Sequence, residues 1–252
     1  MSTVRIVTHG SGPRRFMAFH GWGGDHREFA AVAARRPEDA RMDCVDLPGY
    51  GGSPPPPEWT LEAVVRTMAD AMEPVQDVTL AGYCSGSAIA LLWALRQPSA
   101  VRRLVLIEPF AYVPWYFRLF LAGAPGRRAY EFAFARDAGR ALVNGLLRRR
   151  HGREGDFTGA FARLNHEVVL RYLRMFRTVS LDKFSGLRIP VDLVWGSRTF
   201  GAVRDSVARF QRRWPHARRF ELPGLGHLTM AGGAGEIARI LFQKERDPAA
   251  PA

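Results

Sequence analysis

The chain has 252 residues, 47% of them hydrophobic, with 25 Gly and 17 Pro distributed along it; this fits one sizeable α/β domain with an insertion and excludes a disordered chain. The formal net charge is +12, but no nucleic-acid motif accompanies the basic residues and no stacking aromatics are interleaved with them, so nucleic acid is not the expected partner. The start, MSTVRIVTHG, lacks a basic segment followed by an apolar run, no apolar stretch reaches about 18 residues, and Cys44 and Cys84 alone make no disulfide framework, so the expectation is a cytoplasmic enzyme without a transmembrane segment.

Short apolar runs alternate with helical patterns, which predicts a mostly parallel central sheet with helices on both faces. The first two strands are read at Val4–Thr8 and Phe16–Phe19. FHGWGG (residues 19–24) follows at once, a Gly-rich turn able to present backbone N–H groups to a developing oxyanion. In this turn His20 reads as a structural hydrogen-bonder. A helix over Arg27–Arg35 leads to a strand at Met42–Val45 and then to DLPGYGGS, where Asp46, like Asp25 before it, reads as a turn residue. SPPPPEW (residues 53–59) is a stiff loop before a helix over Leu61–Met72 with Thr60 as N-cap.

The strand at Val78–Ala81 runs into Gly82-Tyr83-Cys84-Ser85-Gly86 and a helix over Ser85–Arg96, on which Ile89, Leu92 and Trp93 share a face and which Pro98 stops. Strand, sharp turn and helix make a nucleophile elbow: glycines flank the strained residue because side chains there would clash where strand and helix close on each other. In that register the nucleophile is Cys84, with its thiolate favoured by the helix N-terminus, and Ser85 is the fallback. The oxyanion donors are then the backbone amides of Trp22 and Ser85.

After the strand Leu104–Ile107, about 80 residues carry no strand signal and read as helices over Trp115–Leu121, Arg128–Phe134, Gly139–Arg149, Phe157–Arg163 and Glu167–Phe176. That is too long for a crossover, so the chain divides into a core (1–109), a helical cap (110–187) and the rest of the core (188–252). The aromatic rings of the cap either line an apolar pocket or hold the cap on the sheet. Residues 110–185 hold thirteen Arg and one Lys against six Asp and Glu, a solvated basic face or a docking surface for an acidic partner.

Strands at Val191–Trp195 and Arg219–Leu222 bracket a helix over Arg204–Trp214, and a last helix covers Glu236–Phe242. LPGLGHLTM (222–230) puts His227 in a Gly-rich loop after the last strand, from which it can reach the nucleophile as general base. His151 and His166 fall in the cap, and His9, His26 and His216 have no motif around them. No cofactor-binding or metal-binding motif is found, so neither is expected.

HGWGG, DLPGYGGS, GYCSG, VWG and GLGH, in that order, resemble the α/β-hydrolase superfamily over the whole chain. The resemblance implies an eight-strand-type core, with the first strands reduced, and a cap over the site. Length, HGWG and DLPG-like motifs and cap are similar to pimeloyl-carrier-protein methyl esterases; the GYC element is similar to polyhydroxyalkanoate synthases, whose nucleophile is cysteine. The family's triad acid usually follows the strand ending VWG, in W-G-x-x-D; here Thr199 stands at that place. Glu108, at the end of the preceding strand, is the expected substitute, as in certain haloalkane dehalogenases. Asp205 or a Cys84–His227 dyad are the alternatives.

Attack by Cys84 gives an acyl-S-enzyme close in energy to a thioester. The expected function is therefore a thioesterase or acyltransferase on acyl-carrier-protein or acyl-CoA thioesters, with the basic cap facing the acidic carrier or the CoA phosphates. A carboxylic-ester or lactone hydrolase is the alternative, and a non-catalytic ligand-binding protein on a decayed hydrolase fold the second one.

Overall fold

In the computed structural model, the described residues are 3–72, 74–151 and 156–244; the side chains of Arg149, Arg150 and His151, which the sequence places in the cap, lie outside that description. The elements follow in chain order: β1 (Ile6–His9), β2 (Arg14–Phe19), α1 (Ala30–Ala33), β3 (Ala40–Val45), α2 (Leu61–Asp70), β4 (Val78–Tyr83), α3 (Gly86–Arg96) and β5 (Val101–Ile107). Then come α4 (Trp115–Leu119), α5 (Gly123–Tyr130), α6 (Asp137–His151) and α7 (His166–Phe176), before β6 (Val191–Gly196), α8 (Gly201–Arg213), β7 (Arg218–Leu222), α9 (Thr229–Gly232) and α10 (Ala234–Phe242).

Seven strands form one sheet in the order β1-β3-β2-β4-β5-β6-β7. Only β1 runs antiparallel, against β3, and the six others are parallel to their neighbours. Strand alternation sorts the core into two layers. Met17, Phe19, Leu80, Leu104, Leu106 and Leu193 face α2, α3 and α8, while Phe16, Ala18, Ala81, Val105, Ile107 and Val194 face α1 and α10. α3 is enclosed all round, every residue from Gly86 to Ala94 being buried, so its sequence shows little more than continuous apolarity. Thr60 caps α2, its hydroxyl accepting the Ala63 N–H at 3.1 Å.

All seven sequence-read strands are present, and the described residues form seven strands, in keeping with an eight-strand-type core whose first strands are reduced. Between β5 and β6 the chain is helical, as read, with two local differences. The helix expected over Arg128–Phe134 is the end of α5 followed by a π-turn, Glu131–Ala135, and the one over Phe157–Arg163 is a 3-10 turn, Gly159–Arg163. In this insert the aromatic rings pack on one another and on the core turn. Trp22 lies edge-on to Phe117 and Phe161, each at 5.2 Å between ring centroids, and to Phe134 at 5.7 Å. Two buried polar groups complete that contact: Trp22 Nε1 donates to Val169 O and the Tyr172 hydroxyl to Pro48 O, both at 2.9 Å.

Candidate active site

β4 ends at Tyr83 and α3 begins at Gly86, and the turn between them puts Cys84 at φ 53°, a left-handed conformation that side chains other than glycine's rarely adopt. The flanking glycines follow from contact. A Cβ on Gly82 would lie 2.5 Å from Ser87 Cα, and one on Gly86 would lie 2.2 Å from Phe19 O. Ser85 has ordinary helical angles (φ −66°, ψ −23°), and its Oγ is enclosed with no hydrogen-bond partner among the described residues. The elbow position therefore belongs to Cys84, not Ser85.

Gly21 brings the HGWGG turn against the elbow, since a Cβ there would sit 3.1 Å from Cys84 Cβ. His20 is buried and neutral: Leu47 N–H donates to its Nε2 at 3.0 Å, Nδ1 lies 2.8 Å from Gly21 O, and burial pushes its pKa down to about 4. It holds the turn and has no free nitrogen for proton transfer. The Gly24 N–H donates to Gly21 O at 3.1 Å and the Gly21 N–H to Glu28 Oε2 at 2.7 Å. The amides of Trp22 and Ser85, read from the sequence as oxyanion donors, have no acceptor among the described residues, so both are available to an oxyanion.

His227 follows β7 in the loop that crosses the carboxyl ends of the strands. Its Nδ1 lies 2.8 Å from Glu108 Oε2. Tyr83 and Phe200 pack on the ring with centroids at 5.9 and 4.7 Å, and the Tyr83 hydroxyl donates to the His227 carbonyl at 2.9 Å. Burial works against the imidazolium, but hydrogen bonding to Cys84 and Glu108, with the charges of both, outweighs it and raises the pKa to about 10. A single imidazole thus joins the elbow cysteine to a buried carboxylate.

Glu108 is fully buried at φ 51°, just beyond β5. Its Oε1 accepts the Gly196 N–H at 2.6 Å, and its Oε2 accepts the Thr199 hydroxyl as well as facing His227. Asp205 is not near this group; on α8 it pairs with Arg209 at 2.9 Å.

A carboxylate-rich turn stands apart from these residues. Asp25, His26 and Asp46 bring ligand-type atoms within 4.8 Å of one another. Asp46 accepts the His26 N–H at 2.7 Å and the Gly52 N–H at 2.8 Å and faces His26 Nδ1 at 2.7 Å, while Asp25 caps the following turn and binds Arg27. These bonds serve the turns themselves, in line with the structural reading of both aspartates.

The sequence profile of the alpha/beta hydrolase fold matches residues 15–234. The chain belongs to the α/β-hydrolase fold family. Its curated relatives include proteins named pimeloyl-[acyl-carrier protein] methyl ester esterase. That of Chromobacterium violaceum is 38% identical over 103 residues, 40% of this chain and 39% of the relative, so this match spans about two fifths of the relative's length. That of Yersinia pseudotuberculosis is 25% identical over 260 residues, 96% of this chain and 97% of the relative. Among solved structures, a lipase-esterase related protein from Clostridium acetobutylicum superposes with a TM-score of 0.73 at 18% identity, over 95% of this chain and 98% of that one. An alpha/beta hydrolase enzyme from a Medee basin deep-sea metagenome library gives 0.76 at 14% identity, over 98% and 97%. At these identities the two structures speak for the α/β-hydrolase fold alone.

Three features of this α/β-hydrolase site are absent from the sequence reading. Glu28 lies under the HGWGG turn, the Tyr83 hydroxyl holds the histidine loop, and Thr199, at the position where the family pattern has an acid, donates to Glu108. The last had a signal: a hydroxyl at the family's acid position, with a spare carboxylate at the end of the neighbouring strand.

Among the described residues, no helix is long and apolar enough to cross a membrane.

Proposed function

We propose that this α/β-hydrolase is an esterase that cleaves a carboxylic ester of an acyl group held on acyl carrier protein, with Cys84 as nucleophile, His227 as general base and Glu108 as the carboxylate orienting it. The observation that carries the reading is the one imidazole shared by Cys84 and Glu108. The relatives' shared name supports the carrier-linked ester as substrate and moves the weight from the thioester expected from the cysteine to the ester.

In the first step the Cys84 proton rests on His227, whose raised pKa favours the imidazolium, and sulfur bonds to the carbonyl carbon, with the oxyanion received by the Trp22 and Ser85 amides. The carbon–oxygen bond to the leaving alcohol then breaks, and the alcohol takes the proton from His227. Water, deprotonated by the same imidazole, attacks the acyl carbon; the carbon–sulfur bond breaks, the acid is released, and the sulfur leaves as thiolate with the proton on His227, as at the start. Glu108, facing Nδ1 with Oε2, keeps the ring in one orientation.

Within this reading the helical insert (110–187) is the cap, and its exposed Arg118, Arg128 and Arg163 face the acidic carrier. A thioesterase or acyltransferase is the second reading, favoured by the cysteine itself: an acyl-S-enzyme exchanges with thiols at little cost in free energy. A ligand-binding protein without catalysis predicts instead that Cys84 alkylates no faster than an ordinary exposed thiol.

The test is intact-protein mass spectrometry after mixing the protein with acyl-carrier-protein methyl esters, acyl thioesters and p-nitrophenyl esters, with Cys84→Ala in parallel. An acyl adduct on Cys84, absent from the variant and released fastest from the carrier-linked methyl ester, is the expected result. Turnover that survives in Cys84→Ala overturns the cysteine assignment. Charge reversal at Arg118 and Arg128 is expected to slow carrier-linked substrates and leave p-nitrophenyl esters unchanged.

A further inference from the structure

The site contains a second carboxyl group that the mechanism above does not use. Glu28 follows the HGWGG turn and folds back under it. Its Oε2 accepts the Gly21 N–H at 2.7 Å, and its Oε1 occupies the space over Gly24, where a Cβ would lie only 2.3 Å from it. On the other side of Gly21 is the elbow, since a Cβ on Gly21 would lie 3.1 Å from Cys84 Cβ and 3.2 Å from Tyr83 Cδ1. The carboxyl group is enclosed enough for burial to hold its pKa up at about 7. An enclosed acid is costly unless it is bonded, and here Oε2 takes the Gly21 N–H while Oε1 fills the space over Gly24.

The geometry points to Glu28 as the positioning residue of the oxyanion turn: by binding the Gly21 amide and filling the space over Gly24, it fixes the Trp22 N–H toward the carbonyl attacked by Cys84. With the Gly21 N–H committed to Glu28 and the Gly24 N–H to Gly21 O, the turn cannot rotate the Trp22 peptide without breaking a bond to a buried group. The Trp22 ring is clamped separately, by Phe117, Phe134 and Phe161. Side chain and backbone of the donor residue are thus held by different parts of the protein: the ring by the insert, and the peptide through Gly21 O, which accepts the Gly24 N–H and meets His20 Nδ1, with Glu28 fixing the preceding amide.

This role rests on the covalent reading of Cys84, and two reactions of the same sulfur separate the two claims. Acylation by p-nitrophenyl butyrate forms a carbon–sulfur bond through a tetrahedral oxyanion and expels p-nitrophenolate. Alkylation by iodoacetamide displaces iodide and develops no oxyanion. Glu28→Met keeps the volume and deletes the acceptor; Glu28→Gln keeps an acceptor oxygen. We expect Glu28→Met to slow Cys84 acylation on the order of 10- to 100-fold with KM little changed, to leave alkylation within about threefold of wild type, and Glu28→Gln to restore most of the acylation rate. Gly24→Ala, whose methyl displaces the carboxylate from the other side, is expected to slow acylation in the same selective way and serves if Glu28→Met does not fold. Acylation at the wild-type rate in Glu28→Met or Gly24→Ala, or a parallel fall in alkylation, overturns the role of Glu28 and leaves the function intact. If the wild-type protein itself takes no acyl group on Cys84, the functional reading fails and the role of Glu28 with it.

Discussion

The Thr199 hydroxyl donates to Glu108 Oε2, the same oxygen that meets His227 Nδ1. Thr199 stands where a W-G-x-x-D pattern carries its acid, and it donates to a carboxylate at the neighbouring strand end. Both residues are buried, so the site has room for one carboxylate at a time. Thr199→Asp sets two carboxylates side by side and is expected to lower the melting temperature markedly. Glu108→Asn, which tolerates positive φ, is expected to slow Cys84 acylation and leave the fold in place. The double variant, with the acid moved to residue 199, is expected to recover stability over Thr199→Asp and activity over Glu108→Asn; recovery of neither would count against a shared carboxylate site.

A second expectation concerns the charge on His227. Its pKa in the fold is raised to about 10 against an ordinary 6.5. A cationic group stabilised in this way contributes stability that is fully present below pH 6.5 and is lost as pH rises through about 10. Urea unfolding of the wild type should weaken across that window. Cys84→Ala removes one of the two partners that raise the pKa, so the His227 titration followed by NMR is expected to move down and the loss of stability to begin at lower pH. An unchanged His227 titration in Cys84→Ala would show that the thiol and the imidazole do not interact.

Much of this was legible in the sequence because short motifs fix local backbone. GYCSG specifies a strand–turn–helix junction, and Cys84 at φ 53° with Ser85 in the helix is its direct consequence. Short apolar runs placed all seven strands, including the two-faced β5. Glu108 entered through the family resemblance, given Thr199 where an acid was expected, with Asp205 and a dyad left as alternatives. Glu28 was not legible, because its role depends on a chain reversal that brings a helical-turn side chain beneath Gly21 and Gly24, and no sequence period encodes that contact. The π-turn at Glu131–Ala135 was equally hidden: it is a local packing adjustment within a continuous helical pattern.

Glu28 supplies a pH dependence of opposite origin. Burial holds its carboxyl at about 7 in the fold against an ordinary 4.5, so the folded state keeps a proton that the unfolded chain has already lost. The sign follows: stability falls as pH rises from about 4.5 through about 7. The groups facing this carboxyl are Asp25, whose charge raises its pKa, His227, whose charge lowers it, and the Tyr50 and Tyr83 hydroxyls. Glu28→Gln removes the ionisation and is expected to flatten the stability profile between pH 5 and 7.5, gaining on the wild type at the upper end. A wild-type profile that already rises across this range would contradict the buried-acid assignment.

The elbow makes the sharpest separation between stability and chemistry. Cys84 occupies a conformation costing roughly 1–2 kcal/mol for a residue with a Cβ, partly offset for glycine by about 0.5–1 kcal/mol of chain entropy. Cys84→Gly is therefore expected to melt at or slightly above the wild-type temperature while losing all covalent acylation. Its neighbours should behave in the opposite way. A methyl on Gly82 meets Ser87 Cα at 2.5 Å, and one on Gly86 meets Phe19 O at 2.2 Å and His20 O at 2.5 Å, all backbone atoms of the sheet and helix that cannot swing aside. Gly82→Ala and Gly86→Ala are each expected to cost about 2 kcal/mol or more. Thermal melts of the three variants side by side test the point directly: if Cys84→Gly is the least stable of them, the cysteine is held by contacts of its own and is not a strained residue maintained for its reactivity.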